Sequence, residues 1–314
     1  MMKDRIPKIP APLAGLGLGL ASLGSVIFNF NAFWGNFLGI LGGLVLVIYL
    51  SKIVINFSTF RQDLKHPVFS SIVPTFSMGM MIIATYIGRI NYATGMIVWL
   101  VAVVLHGLLL ISFLNNILRE FNFHDILPNY FIPPVGIVVA CVSGKMFDFP
   151  IVREVIFYLG FISFMIILPP ILIRLAMGDI PVPERPTLAI LAAPASLCLA
   201  GYLSLDIIPN PIFLSILVPS SIAMTLSVFV MLFKLLRIPF SPGYSAYTFP
   251  LVISASGMLK YAEYLSKSGI VWVGYVKLFG IIELYIAALV VFYVVIRYLY
   301  FYLIADKKLS FNER

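Results

Sequence analysis

Residues 242–257 read PGYSAYTFPLVISASG. Two prolines stand eight residues apart, no side chain carries charge, and the second proline is followed by Ser254, Ala255, Ser256 and Gly257. An interior proline removes one helical hydrogen bond and frees a carbonyl. In a bilayer that is tolerated only where the freed group is buried in protein or faces water. Small side chains let helices approach closely or leave space beside them. Such a segment belongs inside a bundle, not against lipid.

The same arrangement recurs along the chain. Pro12, Pro74, the pair Pro133/Pro134, Pro194 and Pro250 follow one another at intervals of 62, 60, 60 and 56 residues, counting from Pro134. A second proline lies five to eight residues earlier in four repeats (Pro67, Pro128, Pro186, Pro242), and Pro7 and Pro10 occupy that region in the first. Small residues follow each time, as LAGLGLGLASLG, TFSMGM, VGIVVACVSG, ASLCLAG and LVISASG. Between these segments lie long Ile/Leu/Val/Phe-rich runs without the pattern.

On the scale of about 20 apolar residues per membrane span, ten spans are expected: 11–32, 37–57, 67–87, 92–115, 129–146, 151–173, 187–206, 210–234, 243–265 and 274–303. Composition agrees. Apolar residues make up 61% and charged residues 11% of the 314-residue chain, against roughly 45–50% and about 25% in soluble domains. The expected fold is an all-α membrane protein of one domain, 1–314. It is built from five quasi-symmetric helical hairpins, roughly 7–58, 66–116, 127–174, 186–236 and 242–304. The odd spans are expected inside around a central pore, kinked at Pro12, Pro74, Pro133, Pro134, Pro194 and Pro250, and the even spans outside. The first apolar run reads as a retained span rather than a signal peptide.

Fifteen Lys and Arg fall on the face that holds both termini in this topology, including Lys3, Arg5, Lys8, Lys307, Lys308 and Arg314. Six fall on the other: Arg89, Lys145, Arg153, Lys260, Lys267 and Lys277. That asymmetry predicts cytoplasmic termini in a multi-pass protein of the cell membrane. The net charge of +8 is thus a topology signal and not a nucleic-acid footprint.

Enzyme signatures are lacking: no HExxH, GxSxG, phosphate-binding loop or CxxC. GLGLGL at 15–20 lies within a span and is followed by no GK[ST]. Cys141 and Cys198, 57 residues apart, define neither a disulfide framework nor a ligand cluster. His66, His106 and His124 are dispersed, and mid-span His106 reads as a satisfied packing contact. No catalytic residue, cofactor or metal is expected. Glu283, the one carboxylate deep in an apolar run, reads as a packing or intersubunit hydrogen bond rather than a proton relay.

A pore lined by small residues, without a carboxylate ring, does not favour cations, and the peripheral positive charge raises local anion concentration. Small residues such as Ser77 follow the prolines. Immediately before the kink prolines stand Ala11, Val73, Pro133, Ala193 and Phe249. Only the fifth repeat places an aromatic ring there. Phe249 is therefore a candidate plug, its alternative being an ordinary packed phenylalanine, one of 26.

SAYTFPLVISASGMLKYAEY at 245–264, ILAAPASLCLAGYLSL at 190–205 and PLAGLGLGLASL at 12–23 resemble the family that includes bacterial tellurite-resistance proteins, plant slow anion channels and fungal malate-transport proteins. That grouping also carries the name C4-dicarboxylate transporters. The resemblance implies ten helices in five hairpins around a pore and a homotrimer with one pore per subunit. It carries the family's gating phenylalanine onto Phe249 and its small pore residue opposite the ring onto Gly15. Expected pore-lining residues are then Gly15, Ala11, Val73, Ala193 and Ser77. The implied ligands are chloride, nitrate and, as further candidates, malate or other dicarboxylates. A secondary carrier of dicarboxylates or sulfite, proton-coupled, is the rival reading, and tellurite resistance is compatible with either.

Overall fold

The computed structural model describes residues 9–119, 121–269 and 272–305. Pro7 and the terminal basic residues Lys3, Arg5, Lys8, Lys307, Lys308 and Arg314 lie outside the described residues. The fold is all helical, with no strand among the described residues. Thirteen α-helices follow one another: α1 Leu13–Ile27, α2 Ala32–Ile55, α3 Phe57–Lys65, α4 Pro67–Ile72, α5 Thr75–Ile90, α6 Tyr92–Arg119, α7 Ile132–Gly136, α8 Val139–Ser143, α9 Pro150–Ala176, α10 Pro194–Tyr202, α11 Pro211–Leu235, α12 Phe249–Lys267 and α13 Val273–Tyr300.

Among the described residues six helical stretches are long and apolar enough to cross a membrane: Ala32–Ile55, Val68–Ile90, Tyr92–Arg119, Pro150–Ala176, Pro211–Leu235 and Val273–Leu303. The protein is a membrane protein. Five of the six (α2, α6, α9, α11 and α13) turn most of their side chains outward: Phe33, Ile40, Val104, Ile166, Phe233 and Leu289 are all more than half exposed. Apolar surface on that scale needs lipid around it.

The five expected inner spans, 67–87 among them, are not uniform helices. α1 has 15 residues, short of the length that crosses a bilayer. The others break at their prolines. α4 ends at Ile72 and α5 starts at Thr75. The third inner segment is a 3-10 turn at Pro128–Phe131, then α7, α8 and a second 3-10 turn at Gly144–Met146. The fourth and fifth run as 3-10 helix through Val182–Ala192 and Pro242–Tyr247 before α10 and α12 begin. Pro12, Pro74, Pro194 and Pro250 each sit at a helix N-terminus, as cap or first-turn residue. A residue without an N–H and with φ near −65° fits there, where the first N–H groups have no intrahelical acceptor. Prolines also occur where no break follows: Pro169 and Pro170 lie inside α9 and Pro219 inside α11.

The inner segments contact one another in a closed circuit, α1 with α5, α5 with α8, α8 with α10, α10 with α12, and α12 with α1. A second chain of contacts runs before the helix starts, from α4 through Pro128–Phe131, Val182–Ala192 and Pro242–Tyr247 to α1. Each inner segment also packs on a long outer helix: α1 on α2, α5 on α6, α7 on α9, α10 on α11 and α12 on α13. Since lipid tails are as apolar as leucine, close packing and buried polar bonds hold helices together. Such bonds tie the two layers. Ser77 Oγ lies 2.9 Å from His106 Nδ1. Trp99 Nε1 donates to Ser143 Oγ at 3.1 Å, and Ser196 and Ser221 hydroxyls meet at 2.8 Å.

Candidate functional site

At the centre of the circuit lies a cavity of about 70 Å³ to which all five inner segments contribute. α1 brings Pro12, Gly15 and Leu18; α4 and α5 bring Ile72, Thr75 and Met78; the third segment brings Phe131, Ile132, Val135 and Gly136. Thr187, Ile190, Ala193, Pro194 and Leu197 follow from the fourth segment, and Gly243, Ser245, Ala246, Phe249 and Pro250 from the fifth. No charged residue borders it.

Phe249, buried at 6% exposure, is the first residue of α12. Its position is built by the residues just before it. Tyr247 Oη donates to the Leu235 carbonyl at 3.1 Å, Tyr244 Oη to that of Ile238, and Tyr298 Oη to that of Pro242. These bonds fasten the 3-10 stretch to the end of α11 and to α13. Thr248 Oγ1 shares its one proton between Ser245 O at 2.7 Å and Gly15 O at 3.2 Å. The bond to Gly15 requires α1 to come close, and glycine permits it: a Cβ on Gly19 would stand 2.3 Å from Thr248 Oγ1 and 3.2 Å from Phe249 N.

Of the expected site residues, Gly15, Ala193 and Phe249 are brought together at the cavity, with Pro12, Pro194 and Pro250. Ala11 and Val73 are not. They pack with Phe60 and Leu109 in a separate cluster between α3, α6 and the inner layer. The residue before a helix-starting proline faces a different way in repeats whose preceding turns differ. Ser77 is also elsewhere, its hydroxyl satisfied by Pro74 O at 2.8 Å and paired with His106. Pro74, Pro133 and Pro134 do not border the cavity; Pro133 instead presents its carbonyl to His106 Nε2 at 2.8 Å. Sequence reasoning passed over Thr75, Met78, Val135, Thr187 and Leu197, lining residues that carry no distinguishing chemistry.

Glu283, buried on α13, accepts from Ser254 Oγ of α12 at 2.8 Å, and Ser254 lies 2.8 Å from Thr225 Oγ1 of α11. It is a packing bond within one chain and does not border the cavity. Among the described residues no cluster of His, Cys, Asp and Glu is arranged to hold a metal.

A sequence model of one protein family, described as voltage-dependent anion channel, matches residues 12–299. Comparison with curated proteins gives no match.

Proposed function

The chain belongs to the voltage-dependent anion channel family, and from that premise we propose that its five hairpins frame a central pore closed by Phe249. The observation that carries the reading is the uncharged cavity bordered by all five inner segments, with the only aromatic residue of the five pre-proline positions at its wall. An apolar constriction blocks ions by excluding water. Turning the ring aside, or removing it, widens and wets the path. Absence of carboxylates from the lining favours anions, and absence of Lys or Arg there leaves them loosely held, as fast passage requires.

The proposed ligands are chloride, nitrate and small carboxylates such as malate, in the cell membrane, with cytoplasmic termini and one pore in each subunit of a homotrimer. Gly15 gives the ring room. Five-fold recurrence of inner segment on outer helix supports the hairpin architecture. A proton-coupled carrier of dicarboxylates needs a titratable group on the path. Glu283 faces Ser254 and Thr225 instead, which favours the channel.

The test is current through planar bilayers containing purified protein or Phe249→Ala, under chloride, nitrate and malate gradients. Large, non-saturating anion currents in the variant are expected. A variant that conducts no better than the native protein, beside saturable proton-dependent malate uptake into vesicles, overturns the channel reading.

A further inference from the structure

A second cavity, about 620 Å³, opens at the end of the inner layer toward which α1 and α12 run. Its walls include Ser25 and Asn29 near the end of α1, Ser256, Lys260, Glu263 and Lys267 of α12, Lys277 of α13, and Val142 of α8. α1 and α12 are neighbours in the circuit, whereas α8 stands across it between α5 and α10. A space touched by all three reaches across the end of the circuit, and Val273 and Lys277 of α13 border it on the outer side.

Helical phase joins the two cavities. Phe249, Ile253, Ser256, Lys260, Glu263 and Lys267 follow at spacings of four and three, which is one face of α12. Gly15, Leu18, Ser22, Ser25 and Asn29 do the same on α1. The early members of each series border the small apolar cavity and the late members the wide one. Between them the Ser22 hydroxyl is buried with no hydrogen-bond partner. At 1.5 Å per residue, Lys260 stands about 16 Å beyond Phe249.

Three lysines and one carboxylate border the wide cavity. Glu263 is engaged by Lys267 at 2.7 Å. Among the described residues no carboxylate lies within ion-pair distance of Lys260 or Lys277. Lys260 is also half-buried, so water screens it less than a surface lysine.

We propose that this space is an anion vestibule in which Lys260, with Lys277 at the rim, concentrates small anions beyond the Phe249 constriction and holds dianions longer than monoanions. The inference rests on the reading of the inner layer as an anion path.

Its test is made in the Phe249→Ala background, where the path is open. Adding Lys260→Gln is expected to lower chloride conductance about two- to threefold at ~20 mM salt and to leave it unchanged at ~1 M, where screening is nearly complete. Lys260→Arg should retain the low-salt conductance, and sulfate should depress chloride current less in the Lys260→Gln variant than in its parent. Equal conductance with and without Lys260→Gln at low salt, in a parent that conducts, overturns the vestibule alone. A parent that carries no anion current overturns the anion path itself. Equal conductance at ~1 M shows that Lys260→Gln has folded. If it does not fold, Lys277→Gln serves instead: a smaller loss confined to low salt supports the vestibule, and no loss overturns it.

Discussion

The hydroxyl of Thr248 donates to the backbone carbonyl of Gly15 at 3.2 Å, joining positions 233 residues apart in the chain. It couples the residue immediately before Phe249 to α1, the adjacent helix of the inner circuit. The first and last repeats are thereby closed on each other at the level of the proposed gate.

Replacing Thr248 with valine keeps the shape and removes the donor. The buried Gly15 carbonyl then loses its side-chain partner, a loss of about 1–2 kcal/mol. A lower midpoint of thermal unfolding in detergent is expected, with greater resting anion leak in vesicles because α12 is no longer fastened to α1. An unchanged midpoint and leak would show that the bond holds nothing.

Gly19→Ala places a methyl 2.3 Å from Thr248 Oγ1 and close to Phe249 N. Backbone must move, so a cost of about 1–3 kcal/mol is expected. Gly107→Ala is the control, since a Cβ there meets nothing within 4 Å and alanine suits a helix better than glycine. Thermal unfolding should separate the two variants, with Gly107→Ala at or above the native midpoint. Identical midpoints would contradict the close approach of α1 and α12.

His106 is fully buried on α6 and links Ser77 to the Pro133 carbonyl. His106→Ala removes the side-chain partner of the Pro133 carbonyl, leaves Ser77 only its bond to Pro74 O and opens a void, at a cost of about 2–4 kcal/mol. The midpoint should fall well below that of the native protein. A variant as stable as the native protein would remove this histidine from the set of contacts that hold the broken third segment.

Arg153 is 1% exposed and donates to Ser204 O at 2.8 Å while pairing with Asp206. The Asp206 side chain is 57% exposed, so water screens its share of the attraction. Asp206→Ala should cost about 1 kcal/mol, whereas Arg153→Ala, which also abandons a buried carbonyl and a packed stem, should cost about 3 kcal/mol. Equal losses on thermal denaturation would mean that the ion pair alone accounts for the role of Arg153.

The division into outer and inner segments was legible in the sequence because its cause is local. Runs such as 92–115 are apolar on every side, and a helix of that kind must meet lipid or core all round. The prolines near 12, 74, 134, 194 and 250, followed by small residues, mark where chain must be buried. Their effect was legible only in part. A proline inside an apolar run looks the same in sequence whether it bends a helix or begins one, and the outcome depends on whether the preceding turn can bond elsewhere. In the fifth repeat it can, through Tyr244 and Tyr247; in the run containing Pro219 the helix simply continues.

What the sequence by itself determined is therefore composition-borne: a helical membrane protein of repeated units, with Phe249 the odd residue among the pre-proline positions. Tertiary structure alone decided which residues meet. Ala11, Val73 and Ala193 hold equivalent places beside their prolines, yet only Ala193 borders the cavity, while Ala11 and Val73 pack against Phe60 and Leu109. Lys260 and Val142 come to one vestibule from repeats that are not adjacent. The physical reason is that helix breaks and burial follow from a few neighbouring residues, whereas closure of the circuit joins the two ends of the chain, and no local pattern records which faces that closure brings together.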